Sequence, residues 1–217
     1  EFWDQEVGLI VKGNVANNSY MDRAQTEERL ESILSEYKER KCSVYLLHGD
    51  LTENELSSLY QNEKVKCFIN LAHGEGFGLP VFEAAYYGLP VIAPDWGGVV
   101  DFLYAPKKDK KGKERKRPHF TRVDYDIKQI QEEAIWEPII IKDSMWCFPK
   151  QGSYKMGLRK IFKQYETVKI EAHKLQKYLL KNFTEKEKYE EFLGHVYKEE
   201  KFEIDEWLNE LKDEVYD

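Results

Sequence analysis

The segment His73-Gly74-Glu75-Gly76-Phe77-Gly78-Leu79-Pro80-Val81-Phe82-Glu83 gathers the residues best suited to chemistry. Its three alternate glycines let the backbone turn tightly and approach a ligand closely. Pro80 suits the first turn of a helix, where a missing N–H costs nothing. The N–H groups of Gly78, Leu79 and their neighbours would then point into the loop. With the helix dipole they form an anion site that suits a diphosphate. Glu75 and Glu83 cannot serve a phosphate, because like charges repel. They suit hydroxyl groups on either side of it, as hydrogen-bond acceptors. A nucleotide sugar has that layout, with ribose hydroxyls on one flank and hexose hydroxyls on the other.

The elements that must hold this loop can be read from the flanking pattern. Gly8 to Lys12 is a short apolar run ended by Gly13, which predicts a strand buried on both faces. Asp22-Arg23-Ala24-Gln25 reads as a capping box ahead of a helix carrying Leu30, Ile33, Leu34 and Tyr37. Cys42 to Leu47 predicts a second strand and Val65 to Leu71 a third. Between them, Thr52-x-x-Glu55 caps a helix bearing Leu56, Leu59 and Tyr60. Pro80 to Tyr87 predicts a helix stopped by Gly88 and Pro90, followed by a strand at Val91-Ile92-Ala93 and a brief helix over Val99 to Tyr104. Strand and helix alternating at this spacing predict an α/β domain, a Rossmann-like parallel sheet with helices on both faces. The loop then lies beyond a strand's carboxyl end, where such sheets bind ligands.

Glu75-Gly-Phe-Gly-Leu-Pro-Val-Phe-Glu83, followed by Ala84-Ala85 and Gly88-x-Pro90-Val91-Ile92-Ala93, closely resembles the Glu-x7-Glu signature of group 1 (family 4) glycosyltransferases of the GT-B fold. The resemblance covers most of residues 8–104 and, more loosely, 143–195. It implies the C-terminal, donor-binding half of that fold. By position, Glu83 is similar to the acid that holds the ribose hydroxyls, and Glu75 to the acid that contacts the donor sugar. The backbone of Phe77, Gly78 and Leu79 matches the diphosphate cradle, and Gly76 and His73 are further donor-binding candidates. Gly49 and Asp50 lie where the family contacts the base. Lys12 and Arg23 are candidates for the family's diphosphate-neutralising pair, although its Gly-Arg…Lys-Gly pattern is absent. Asp101, after Trp96-Gly97-Gly98, lies where the family has Gly-Gly-x-Pro-Glu. The resemblance implies retaining, metal-independent transfer with no cofactor beyond the donor, and no carboxylate pair of the glycosidase kind. It also implies an N-terminal acceptor domain outside this chain, without which turnover is expected to be slight or nil. A non-catalytic nucleotide-sugar-binding module is the alternative. A nicotinamide-binding Rossmann enzyme is disfavoured, because no Gly-x-Gly-x-x-Gly follows the first strand.

Composition narrows the class. The chain is 217 residues long, 41% hydrophobic and 14% aromatic, enough for a core and too apolar for disorder. No apolar run approaches membrane-spanning length, and residues 1–6 do not read as a signal peptide. Cys42, Cys67 and Cys147 are widely spaced, so free thiols in a reducing, cytoplasmic setting are expected. The net charge is −7, yet residues 107–117 hold eight basic and two acidic side chains, a local +6 that leaves −13 elsewhere. An acidic body argues against nucleic acid as a general partner. The basic run reads as a mobile, solvated loop, or as a peripheral contact with anionic membrane or an acidic acceptor. The predicted organisation is a nucleotide-sugar-binding domain over 1–198, with a loop or insertion at about 105–142, and an acidic amphipathic helix over 199–217. Strands are expected at His119 to Asp126 and Pro138 to Lys142, a short helix at Ile127 to Trp136, and helices from Gly152 onward.

Overall fold

The computed structural model describes residues 1–197 apart from Asn17, Lys38 and Lys110. The acidic helix expected over 199–217 lies outside the described residues. The chain opens with β1 (Gly8–Lys12), α1 (Tyr20–Leu34), β2 (Ser43–Leu47), α2 (Glu53–Gln61) and β3 (Phe68–Ile69). Then come α3 (Leu79–Tyr86), β4 (Val91–Pro94), α4 (Val100–Leu103) and a hairpin of β5 (Tyr104–Lys108) and β6 (Glu114–Pro118). After it follow β7 (Thr121–Val123), β8 (Tyr125–Gln129), β9 (Met145–Pro149), α5 (Gln151–Lys163), α6 (Tyr165–Asn182) and α7 (Glu185–Val196).

The α/β expectation holds. β3, β4 and β7 form a parallel sheet in the order β3-β4-β7, and β1 and β2 form a separate parallel pair. β4 is the spine: all four of its residues are buried, since it has a strand on each side and helices against it. The main core joins α3 (Val81, Ala84, Ala85) to Phe102 and Leu103 of α4 and to Leu175 and Leu179 of α6. Each fully buried Leu or Phe there contributes roughly 1.5–3 kcal/mol. A smaller cluster sets Ile92 and Val123 against Ile161 of α5 and Val168 of α6.

Several expectations are corrected. β1 is not buried on both faces: Leu9 and Ile10 are 48% and 42% exposed, and Tyr45 on β2 is 58% exposed. The cause is the two-stranded pairing, which is not hydrogen-bonded to the central sheet. The cap of α1 is Ser19, whose hydroxyl accepts from the Asp22 N–H, so the Asp22-Gln25 box is not the helix start. By contrast, the Thr52/Glu55 box is present in full. The basic run is no irregular loop: β5 and β6 pair antiparallel from Tyr104↔Pro118 to Lys108↔Glu114. Ile127 to Trp136 is not a helix. It holds the end of β8 and one 3-10 turn at Glu132–Ala134, because β8 pairs along its length with β9. Pro138 to Lys142 is a turn closed by a single bridge between Trp136 and Ile140, and the strand lies instead at Met145–Pro149. Among the described residues no helix is long and apolar enough to cross a membrane.

Candidate functional site

The carboxyl end of β3 leads into the glycine-rich loop. Asn70 fixes that exit: its N–H donates to Ile92 O (3.0 Å), and its side-chain oxygen accepts from the Ala72 N–H (2.7 Å). The Asn70 amide also donates to Glu75 Oε1 at 2.8 Å, which aims one acid and leaves its second oxygen without a hydrogen-bond partner among the described residues. Glu75 O accepts from the Gly98 N–H at 3.0 Å, so the turn after β4 buttresses the loop from behind. A Cβ on Gly98 would overlap Gly76 O, so the two segments meet only because Gly98 has no side chain. Gly78 is the other glycine demanded by geometry: it sits at φ +82° as the N-cap of α3. A Cβ there would also meet Val99 Cγ1 at 2.6 Å.

The start of α3 has the property an anion site needs. Gly78 offers no side chain, and no side-chain cap is present. Among the described residues, the backbone N–H groups of Gly76, Phe77, Gly78 and Leu79 donate to nothing. Orphan donors at a helix start must find water, a side chain or a ligand. Phe77 plays a packing part with its ring, 5.0 Å from Phe102 and 5.4 Å from Phe82, while remaining 44% exposed.

Glu83 stands one helical turn past Pro80. The buried Tyr60 hydroxyl of α2 donates to Glu83 Oε2 at 3.3 Å. Burial, and then the Glu83 charge, push the Tyr60 pKa well above the usual phenol range, so Tyr60 stays a donor. Tyr60 and Asn70 thus position the two acids. The sequence showed Tyr60 only as an apolar helix position and Asn70 only as a strand residue, because their roles arise from contacts 23 and 5 residues away.

His73 is tied down twice. Its Nδ1 pairs with Cys147 O at 2.7 Å, and its own carbonyl accepts from the Cys147 N–H at 3.1 Å. Its ring stacks on Trp146 and tilts against Phe148, at 5.1 and 4.6 Å. His73 therefore anchors the loop to β9.

The N-terminal candidates are arranged less tightly. Gly49 has φ +101° and Asp50 is exposed, both at the carboxyl end of β2. Lys12 ends β1 and is exposed. Arg23 is committed to Glu27 on its own helix at 2.8 Å. The nearby pair that sequence reasoning missed is Asp22 with His48, 2.8 Å apart with both side chains buried. Asp22 also accepts from the Val15 and Ala16 N–H groups, at 3.2 and 2.7 Å. Burial pulls the Asp22 pKa up, but His48 and these N–H groups outweigh it and hold the carboxyl below its usual value.

Two solved structures are similar to this chain at low identity. One is the "Catalytic domain of Starch Synthase IV from Arabidopsis thaliana bound to ADP and acarbose", 18% identical, with a TM-score of 0.41 over 81% of this chain and 35% of that one. The other is the "GtfA/B complex", 15% identical, with a TM-score of 0.39 over 80% of this chain and 33% of that one. The chain thus spans about a third of the length of each. Comparison with curated proteins finds no match. Residues 4–108, which include the glycine-rich loop and both acids, match the family "Glycosyl transferases group 1". Over that segment, just under half of its length, the chain is similar to group 1 glycosyltransferases.

Proposed function

We propose that this chain binds the donor, a nucleotide-diphosphate sugar, for a retaining, metal-independent glycosyl transfer. The observation that carries this reading is the uncapped start of α3: a run of N–H groups between Glu75 and Glu83 with no acceptor among the described residues. The diphosphate sits on those N–H groups, where preorganised donors stabilise the charge that develops on the leaving group. Glu83, aimed by Tyr60, accepts from the ribose hydroxyls. Glu75, aimed by Asn70, accepts from the donor sugar. Gly49 and Asp50 border the base, and Lys12 supplies a cation to the diphosphate.

The site is open on one side, with Phe77 and Leu79 at 44% and 57% exposure. We infer that the acceptor and the remaining catalytic groups come from a further domain, so the 217-residue chain alone binds donor and turns over little. The second reading, a non-catalytic nucleotide-sugar module, is favoured by one observation: Arg23 is held by Glu27. A thermal-shift panel of nucleotide-diphosphate sugars tests donor binding, because a ligand at about 100 times its Kd stabilises by about 2.7 kcal/mol. The expected result is a raised Tm with at least one donor and none with Glu83→Ala. If no nucleotide sugar moves the Tm of the parent chain, donor binding is wrong.

A further inference from the structure

The hairpin of β5 and β6 has no part in the donor site. From Pro106 to Arg117 every described residue is exposed, so this part of the hairpin contributes nothing to the core. It is nonetheless built. Asp109 organises its tip: the Asp109 carboxylate accepts from the Lys111 and Lys113 N–H groups at 2.8 and 3.0 Å, and Gly112 takes φ +77°. At its base, Lys107 pairs with Glu171 of α6 at 3.2 Å, and Tyr104 bonds Asp95. The paired strands hold Lys107 directly opposite Arg115, a like-charge pair that costs stability. Apart from Lys107, the described cations Lys108, Lys111, Lys113, Arg115, Lys116 and Arg117 make no ion pair among the described residues.

We propose that this hairpin is an electrostatic arm that docks the protein on an anionic bilayer surface. Three features choose the occupant. First, strands of five residues extend about 17 Å at about 3.4 Å per residue, beyond a physiological Debye length of about 8 Å. The distal cations of the 107–117 run, whose net charge is +6, therefore meet a charged plane with little interference from the −13 of the remaining chain. Second, residues 105–117 contain no aromatic side chain, so there is no platform for stacking bases or sugars. Third, six of the eight cations are lysines, point charges suited to a diffuse surface potential rather than to bidentate capture of single phosphate groups. The arm is independent of donor binding, so either can fail without the other.

The test uses the full chain and sedimentation with phosphatidylcholine vesicles, with and without about a third phosphatidylserine. Retention on the anionic vesicles at about 0.1 M salt, release at about 0.5 M and no retention on neutral vesicles are expected. Replacing Lys111, Lys113, Arg115 and Lys116 together by Gln should weaken partitioning by about fivefold per cation removed, without lowering the Tm. No retention on anionic vesicles, equal retention on neutral ones, or equal retention of the quadruple variant would each overturn the proposal. So would displacement from the vesicles by a double-stranded oligonucleotide at equal phosphate concentration, which would make nucleic acid the preferred partner.

Discussion

The corner around α3 and the ribbon of β1 and β2 both carry candidate donor contacts, yet they are made differently. In the corner, Val81, Ala84, Phe102 and Leu179 are fully buried, and the loop is tied to β3, to the Gly97-Gly98 turn and to β9. In the ribbon, Leu9, Ile10 and Tyr45 face solvent, and the buried Asp22 fastens the following loop through His48 and the Val15 and Ala16 N–H groups. The difference teaches where binding energy can be stored. Orphan N–H groups can be held ready only where the surrounding packing tolerates no movement. The ribbon positions Lys12, Gly49 and Asp50 through its own ladder and a few polar contacts around Asp22 rather than through a packed core.

The sharpest way to break this contrast is a pair of truncations. Phe102→Ala should cost about 3–5 kcal/mol, because it empties a space between α3 and α4. Ile10→Ala should lie within about 0.5 kcal/mol of the parent, as for other exposed positions. Equal losses in urea melts would show that the ribbon is covered by something in solution. A second pair compares glycines. Gly98→Ala should cost roughly 1–3 kcal/mol and abolish the thermal shift by donor, since the new methyl would displace Gly76. Gly13→Ala has open space around it and should fall within about 0.5 kcal/mol. If Gly98→Ala binds donor normally, the loop is not held from behind.

Acid should separate the two regions by order of opening. The folded Asp22 carboxyl is held below its ordinary value of 3.8. Its contribution is therefore present above that value and is lost as pH falls through the folded pKa. Hydrogen exchange between about pH 4 and 2 should show β1 and β2 opening before α3, and Asp22→Asn should remove most of that dependence. Simultaneous opening would mean that the pair does not fasten the ribbon. The smallest effect concerns the two cations. Lys12→Gln should weaken donor binding by about tenfold, the worth of a charge-assisted hydrogen bond. Arg23→Gln should change it by less than about twofold, since Arg23 is turned to Glu27 on its own helix. Equal effects from both would show that Arg23 leaves Glu27 for the donor.

Much of the corner was legible because local chemistry determines it. Pro80 fits only a helix start, alternating glycines fit only a tight loop, and Glu83 follows at one turn. What was not legible depends on distant partners. Tyr60 reads as a core residue until Glu83 is placed beside it, and Asn70 gives no sign that it aims Glu75. Lys107 to Arg117 carries no apolar alternation, so nothing local marks it as two strands; the pairing and the Asp109 turn do that. The exposure of β1 was hidden for the same reason, since Leu9 and Ile10 read alike in a sheet's middle or in an isolated pair. Met145–Pro149 becomes a strand through β8 and through His73, 74 residues earlier.

The bond from the Gly98 N–H to Glu75 O joins two strand exits into a single stiff unit. A loop already held in its bound shape gives up little conformational entropy when ligand arrives. The signature is calorimetric. Donor association should show a small negative heat-capacity change, set by the surface the ligand itself covers, without the larger increment that accompanies folding of a disordered segment.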